Sequence, residues 1–550
     1  MKRSLFFLIL SICVLLSACS GSLPTEEAEP TFPISQPAQQ EQASSESSFV
    51  KTDFSAYTPY EGEALLYSRL REGPIDDLEA SDSYGEIYPF PGHFRRSTGT
   101  DGIHYGTEPS YGMVTAEGCI IADPVYHSIS LLKDRITGIS SSLWQLVKTY
   151  TEESNPDEDW GSTLIYRYGF ANKDGSFVTP CVYEALELFE DRIFAFYPWS
   201  GNDPLRFDIY DTDCNLIMAS SEHPLGNYFT GSPYSYTYGD GLYAVILSEG
   251  NPLSLAHGLY FMNQNWEAIL GPYNGAWDGF HNGKAILFSD DYDYYFIDKN
   301  GTPLTELFDN LYTYSQGFYA ASRTNVYGDW LFLDKDLNEL YSGSGLPEPL
   351  PNGAFSVTEY NDIGDAFNKI SIYDSEGTFL WSKSDHNILT DETAYTSKFM
   401  GNDRNALIHI PTGKEYLLPE NGSMEFYSFG DPEDPFICVY CENYETNEFN
   451  YYVFPENLDS LLIKQSSAPF LSLVEAGCTD TKLLAISKAG HTDLYSDSQT
   501  CVGTYPISAC LSGCVYATGV GIFADDSFVR MFDAEGTLVF CCPIVGGMDD

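Results

Sequence analysis

One short pattern recurs along this chain and constrains its fold more than any other feature. Two or three aromatic or aliphatic residues precede an Asp or Asn, a turn closes on Gly, and a second apolar run follows. The clearest copies are Phe170-Ala171-Asn172-Lys173-Asp174-Gly175, Phe296-Ile297-Asp298-Lys299-Asn300-Gly301, Ile372-Tyr373-Asp374-Ser375-Glu376-Gly377 and Phe532-Asp533-Ala534-Glu535-Gly536. Asp and Asn bond their own backbone in turns, and Gly supplies the positive φ that closes them, so each copy predicts a β-hairpin. Weaker copies centre on Thr115, Asp211, Asn263, Asp334, Pro411, Pro455 and Ser496. The anchors step along the chain by about 42 residues on average, within the range of repeat architectures. A second anchor, an apolar strand at Ala195, Ala244, Ala285, Ala320 and Ser356, follows the first by about 22 residues in most copies, so the two stay in phase.

A unit of this length holds three or four short strands, the size of a propeller blade. The expected fold is all-β: a β-propeller-like repeat architecture, with a β-solenoid-like array as the alternative. At this period residues 51–550 hold about twelve units, more than one ring usually takes, which predicts two rings. The boundary is expected within 343–367, where Gly343-Ser344-Gly345-Leu346-Pro347-Glu348-Pro349 interrupts the strand pattern. One propeller would then span 51–350, and a second, degenerate one 351–550.

The copies resemble the bacterial WG repeat family, whose pattern is a Trp-Gly pair, a hydrophobic residue, Asp or Asn, Lys, Gly, and an apolar strand ending near Pro and Tyr. The best match is Tyr168-Gly169-Phe170-Ala171-Asn172-Lys173-Asp174-Gly175-Ser176-Phe177-Val178-Thr179-Pro180, followed by Tyr183. Tyr stands where the family has Trp, here and at Tyr111-Gly112 and Tyr327-Gly328. The likeness runs through 111–400 and weakens over 401–545, and it implies no defined reaction.

The N-terminus carries an address. Met1-Lys2-Arg3 precedes an apolar run from Leu5 to Leu16, and the segment ends Leu16-Ser17-Ala18-Cys19. The run is too short to cross a bilayer comfortably. A basic start, a short apolar stretch and small residues before the cut describe a secretory signal over 1–18. The Leu-Ser-Ala-Cys ending resembles a bacterial lipobox, which implies cleavage before Cys19 and lipidation of its sulfur. Two or more acyl chains there would meet the requirement for stable anchoring. Residues 19–50, rich in Ser, Glu, Gln, Pro and Ala, read as a disordered tether. The expected location is the bacterial cell membrane or envelope, on its extracytoplasmic side.

Composition narrows the partners. Twenty-seven basic and 79 acidic residues give a net charge of −52, which repels nucleic acid in the absence of a basic patch. Aromatics at 15% separate this chain from acidic disordered ones. Nine His residues are scattered, with no pair at the spacing of a helical zinc site. No nucleophile elbow, phosphate loop or dinucleotide fingerprint occurs, so no cofactor is expected. Cys438 and Cys441 have C-x-x-C spacing within Phe436-Ile437-Cys438-Val439-Tyr440-Cys441, a run that reads as a strand, on which they would face opposite ways. Asp211, Asp213, Asn215 and Glu222 have the residue types of a calcium loop, but Leu216 stands where such a loop needs Gly. A solvated acidic turn is the favoured reading.

These features point to a membrane-anchored, non-enzymatic binding or scaffolding module whose partner is an envelope protein or polysaccharide. The alternative is an envelope glycoside-processing enzyme with paired carboxylates in a propeller pocket. Two carboxyls facing each other across an aromatic-lined cavity would distinguish the second from the first.

Overall fold

The computed structural model describes residues 77–543 with internal gaps, the longest at 153–162, 384–393 and 455–469. All of them belong to one compact unit, Phe49–Asp550. Cys19, the signal segment 1–18 and the tether 19–50 lie outside the described residues.

The described chain is all-β apart from one 3-10 turn, Pro233–Ser235. Its strands form ten sheets, and neighbouring strands follow chain order in antiparallel meanders. Nine sheets have three or four strands: 87–126, 128–172, 185–219, 237–273, 275–298, 310–343, 346–383, 394–417 and 422–454. The tenth has eight and consists of two meanders, 470–505 and 512–543. They are joined where Glu475 pairs in parallel with Cys514 and Ala476 with Val515. There are thus eleven meanders, the β-repeat architecture that the spacing predicts.

The turn motif has a fixed place in the full four-stranded meanders, between the third and fourth strands. Asp211, Asn263, Asp334, Asp374 and Asp533 all stand there. In the Asp298 turn, the Gly301 N–H donates to the Asp298 carbonyl at 2.9 Å, and Asp298 N donates to Thr302 O at 2.9 Å. Gly301 lies at φ 79°. Asp298 Oδ1 accepts from Asn300 N at 2.9 Å and Thr302 N at 2.7 Å, which holds its carboxyl below the usual range. The Asp374 and Asp533 turns repeat these bonds, closing on Gly377 and Gly536. A turn closed by one left-handed residue is the bulged hairpin in which Gly is favoured. Where the motif lacks Gly, a strained residue does the same work: Cys214 at φ 66°, Trp266 at 62° and Leu337 at 65°.

The second anchor is the second strand of the following meander. Ala195, Ala244, Ala285, Ala320 and Ser356 lie on the strands Arg192–Phe196, Leu242–Leu247, Lys284–Phe288, Tyr319–Ser322 and Phe355–Tyr360, and all five are buried. Small side chains at the middle of each sheet let the next sheet approach closely.

Neighbouring sheets share apolar clusters. Phe194, Phe207 and Phe229 pack with Tyr243 and Tyr260 between the third and fourth sheets. Phe261, Phe280 and Leu287 join the fourth to the fifth, and Phe296, Leu311 and Leu331 the fifth to the sixth. A polar ladder runs beside them: Glu190 N donates to Asp134 Oδ2 at 2.6 Å, Asp240 N to Glu190 Oε1 at 3.0 Å, and Gly283 N to Asp240 Oδ2 at 2.6 Å. Each step crosses from one meander to the next.

The first and last sheets also meet. Tyr88 packs on Tyr516 with ring centroids 4.4 Å apart, and Phe90 on Phe540 at 5.0 Å. One cluster contains Ile87, Phe90, Met113 and Trp144 together with Tyr516, Met531 and Phe540.

The expected interruption at 343–349 is corrected by the structure. Two strands occupy it, Glu339–Gly343 and Leu346–Pro349. Among the described residues the second is an edge strand, pairing with Phe355–Tyr360 on one side, and on an edge the missing N–H of Pro347 and Pro349 need not break a ladder. The sheets on either side share a cluster of Ala320, Phe332, Phe355 and Val357. The sheets on either side of 343–367 thus pack together, and the first sheet packs on 512–543.

Candidate functional site

A cavity of 680 Å³ lies where the first, second and last sheets meet. Pro89 and Tyr111 come from the first sheet, Lys133 and Trp144 from the second, and Lys482 and Tyr516 from the last. Lys133 ends the strand Ser128–Lys133, where it pairs with Ser140. Trp144 sits mid-strand between Leu131 and Ala171; it is 4% exposed, and its indole Nε1 is buried without a hydrogen-bond partner. Lys482 opens the strand Lys482–Lys488, across from Glu475. Ser130, Ser140 and Gln145 add neutral polar groups. None of the nineteen described lining residues is Asp or Glu.

A second cavity of 320 Å³ lies among the second, fifth and sixth sheets. Its charged lining is Arg135, Asp278, His281 and Lys284, with Tyr314 and Tyr319 beside them. Burial pushes Asp278 up to about 6, against the opposing pull of Arg135 and His281. Burial likewise raises Glu187, and Arg135 opposes that shift too. Asp278 is the one carboxylate of this lining. Another buried acid, Asp208, accepts from Tyr197 Oη at 2.8 Å and Tyr183 Oη at 3.3 Å; burial raises it although both hydroxyls stabilise its charge.

The residues singled out from the sequence fall elsewhere. Asn172, Gly175, Asp298, Gly301, Asp374, Gly377, Asp533 and Gly536 form hairpin turns and line neither cavity. Asp211 directs Oδ1 to Asn215 N at 2.8 Å and Oδ2 to Asn215 Nδ2 at 3.0 Å, while Asp213 and Glu222 are exposed. Among the described residues no group of three or more His, Cys, Asp or Glu is placed to hold a metal ion. Cys438 and Cys441 lie on the strand Phe436–Asn443, and Cys438 is buried. Lys133, Trp144, Lys482 and Asp278 escaped the sequence reading. A scarce base near a repeat turn was the available signal, and it marks no cavity until distant sheets are brought together.

The family model for a WG-containing repeat matches residues 168–192, from the third strand of the second sheet to the second strand of the third. The structure gives the glycine of that match a reason: a Cβ on Gly169 would lie 2.8 Å from Thr179 O and 3.0 Å from Pro180 O. No curated protein matches the chain. Among solved structures, one titled as the eukaryotic initiation factor is similar at 11% identity and a TM-score of 0.34, covering 74% of this chain and 96% of its own. Apo AztD from Citrobacter koseri is similar at 11% identity and a TM-score of 0.24, covering 65% and 95%. A protein of unknown function from Bacteroides caccae is similar at 12% identity and a TM-score of 0.18, covering 40% and 90%.

Proposed function

We propose that this chain is a non-enzymatic binding module of the bacterial cell envelope, anchored by lipid on Cys19 and binding its ligand in the cavity among the first, second and last sheets. The observation that carries the reading is the make-up of that cavity: aromatic and aliphatic walls with a few dispersed polar groups, of a size suited to a small ligand. The glycosidase alternative calls for two opposed carboxyls; among the described residues the first cavity's lining holds no carboxylate and the second holds Asp278. The lipobox and tether support the anchor.

A panel of envelope glycans and proteins presented to the purified protein tests the reading. A bound component recovered unchanged, with a melting temperature that rises with its concentration, is expected; a shortened glycan among the products would overturn it. The anchor has its own test. Cys19→Ala should move the processed protein from the membrane to the soluble fraction, and salt-resistant retention of the processed variant would refute lipidation.

A further inference from the structure

We propose that the second cavity binds a small zwitterion, an aromatic α-amino acid, with Arg135 taking its carboxylate, Asp278 its ammonium group, and Trp277, Tyr314 and Tyr319 its ring. This site is separate from the cavity among the first, second and last sheets and does not depend on what that cavity holds.

The placement of charge is the first argument. Arg135 comes from the turn after the strand Ser128–Lys133 and Asp278 from the strand Gly275–His281, so distant parts of the chain bring opposite charges to one cavity of 320 Å³. Arg135 is near enough to pull on the acidity of Asp278. Among the described residues, however, the two side chains form no ion pair with each other, and neither makes a hydrogen bond or an ion pair elsewhere. Charges drawn out of water without a partner are costly, and a ligand carrying both signs would compensate the two at once. The surroundings are balanced in the same way. Arg135 also pulls on Glu187 of the neighbouring strand Ala185–Phe189; Lys284 Nζ donates to Asn282 O at 3.3 Å and pulls on Asp334. A net ion would disturb that balance, whereas a zwitterion adds no charge and escapes the repulsion that a protein of net charge −52 exerts on anions.

Rigidity and shape supply the second argument. The Arg135 N–H donates to Leu188 O at 2.8 Å, and Asp134 Oδ1 accepts from Ile136 N at 3.0 Å and Thr137 N at 2.7 Å, so the turn that bears Arg135 is tied at both ends. Its guanidinium lies over the Phe189 ring, 5.6 Å from the centroid. Tyr314 Oη donates to Pro347 O at 3.0 Å, and Tyr319 meets Phe296 edge to face at 4.9 Å. The walls are therefore held in place before a ligand arrives, which lowers the cost of binding. Trp277, 46% exposed, lies where the cavity opens and packs against Tyr294 at 5.8 Å. Three aromatic walls favour a ring that can meet them offset or edge to face. The volume is at the lower end of small-ligand pockets, about 300–1,000 Å³, which suits one amino acid rather than a chain of several.

Calorimetric titration of the full-length protein in detergent tests this with three probes: L-phenylalanine, 3-phenylpropionate, which lacks the ammonium group, and 2-phenylethylamine, which lacks the carboxylate. Phenylalanine should bind at least about tenfold more tightly than either. Asp278→Asn should weaken phenylalanine by roughly tenfold and leave phenylpropionate unchanged; Arg135→Gln should weaken phenylalanine as much and leave phenylethylamine unchanged. This crossed pattern separates a lost charge contact from a lost fold, because a misfolded variant loses every ligand. Arg135→Lys should keep more affinity for phenylalanine than Arg135→Gln. Absence of phenylalanine binding, equal binding of the three probes, or variants that bind phenylalanine as the wild type does would overturn the inference. L-alanine binding as tightly as L-phenylalanine would overturn the aromatic assignment.

Discussion

The joints among the second to fifth sheets and the joint between the first and last sheets are built differently. In the former, polar steps accompany the apolar clusters: Asp134 accepts from Glu190 N, Glu190 from Asp240 N, and Asp240 from Gly283 N. Three of the four residues in this ladder, Glu190, Asp240 and Gly283, sit in tight hairpin loops between first and second strands. A repeated loop therefore brings a repeated acceptor and donor to matching heights. The joint between 87–126 and 512–543 packs Tyr88 on Tyr516 and Phe90 on Phe540, and the Tyr88 and Thr518 hydroxyls lie 3.1 Å apart. Sheets adjacent in sequence are aligned by the repeat itself. The first and last sheets, far apart in sequence, lack that shared repeat loop and meet through a cluster of large apolar side chains, so the second joint is where large side chains matter most.

The largest expected effect follows from that difference. Phe90→Ala and Phe540→Ala should each destabilise the protein by about 3–5 kcal/mol, as truncations of buried aromatic residues do. Because the two rings touch, the double variant should lose less than the sum. Urea unfolding measures all three, and additive losses would show that the rings do not form one joint.

The turn glycines come next. Gly175 lies at φ 67° and a Cβ there would sit 2.8 Å from Tyr84 Cδ2; Gly301 lies at φ 79° with Tyr273 Oη at 3.0 Å. Gly175→Val and Gly301→Val should each cost about 1–3 kcal/mol from backbone strain, with crowding in addition. Leu337, left-handed at φ 65° and half-buried against the cluster of Phe296 and Leu331, is the converse: Leu337→Gly should relieve about 1 kcal/mol of strain while losing the side chain's packing, so its net loss should be smaller than that of the valine variants. An unchanged melting temperature in the valine variants would show that these turns bear no strain.

A smaller loss, about 1 kcal/mol, is expected for Asp240→Ala, which removes the acceptor of Gly283 N at a half-buried site. Amide exchange at Gly283 reads the effect locally. Exchange that speeds up across the first and last sheets instead would contradict the separation of the two kinds of joint.

The turns were legible in the sequence because their physics is local: Asp298, Asp374 and Asp533 bond atoms within four residues, and Gly301, Gly377 and Gly536 supply the backbone angle. The second anchor was legible because Ala195, Ala244, Ala285 and Ala320 recur where sheets must come close. Pro347 and Pro349 misled because proline signals a break only when the strand is interior, and edge position depends on the sheet. Lys133 and Lys482 were illegible as neighbours on one cavity: no local pattern records that the first and last sheets meet.

The last and smallest effect concerns acid, and it separates turn carboxylates from the buried one in the second cavity. Asp298 and Asp334 are held below the ordinary value by hydrogen bonds from their own turns. The folded state thus favours their charged form, and the stability they contribute is lost as pH falls through their lowered pKa values. Asp278 acts in the opposite sense. Burial lifts it from 3.8 to about 6, so the folded protein keeps a proton that the unfolded chain has released. Its contribution is complete below 3.8 and is lost as pH rises through about 6. Growing net negative charge over the same interval acts in the same direction, which is why the variant matters more than the profile. Asp278→Asn should flatten the fall in melting temperature between pH 4 and pH 6 without altering the loss at lower pH. An identical slope in wild type and variant would show that Asp278 is solvated as an ordinary surface acid.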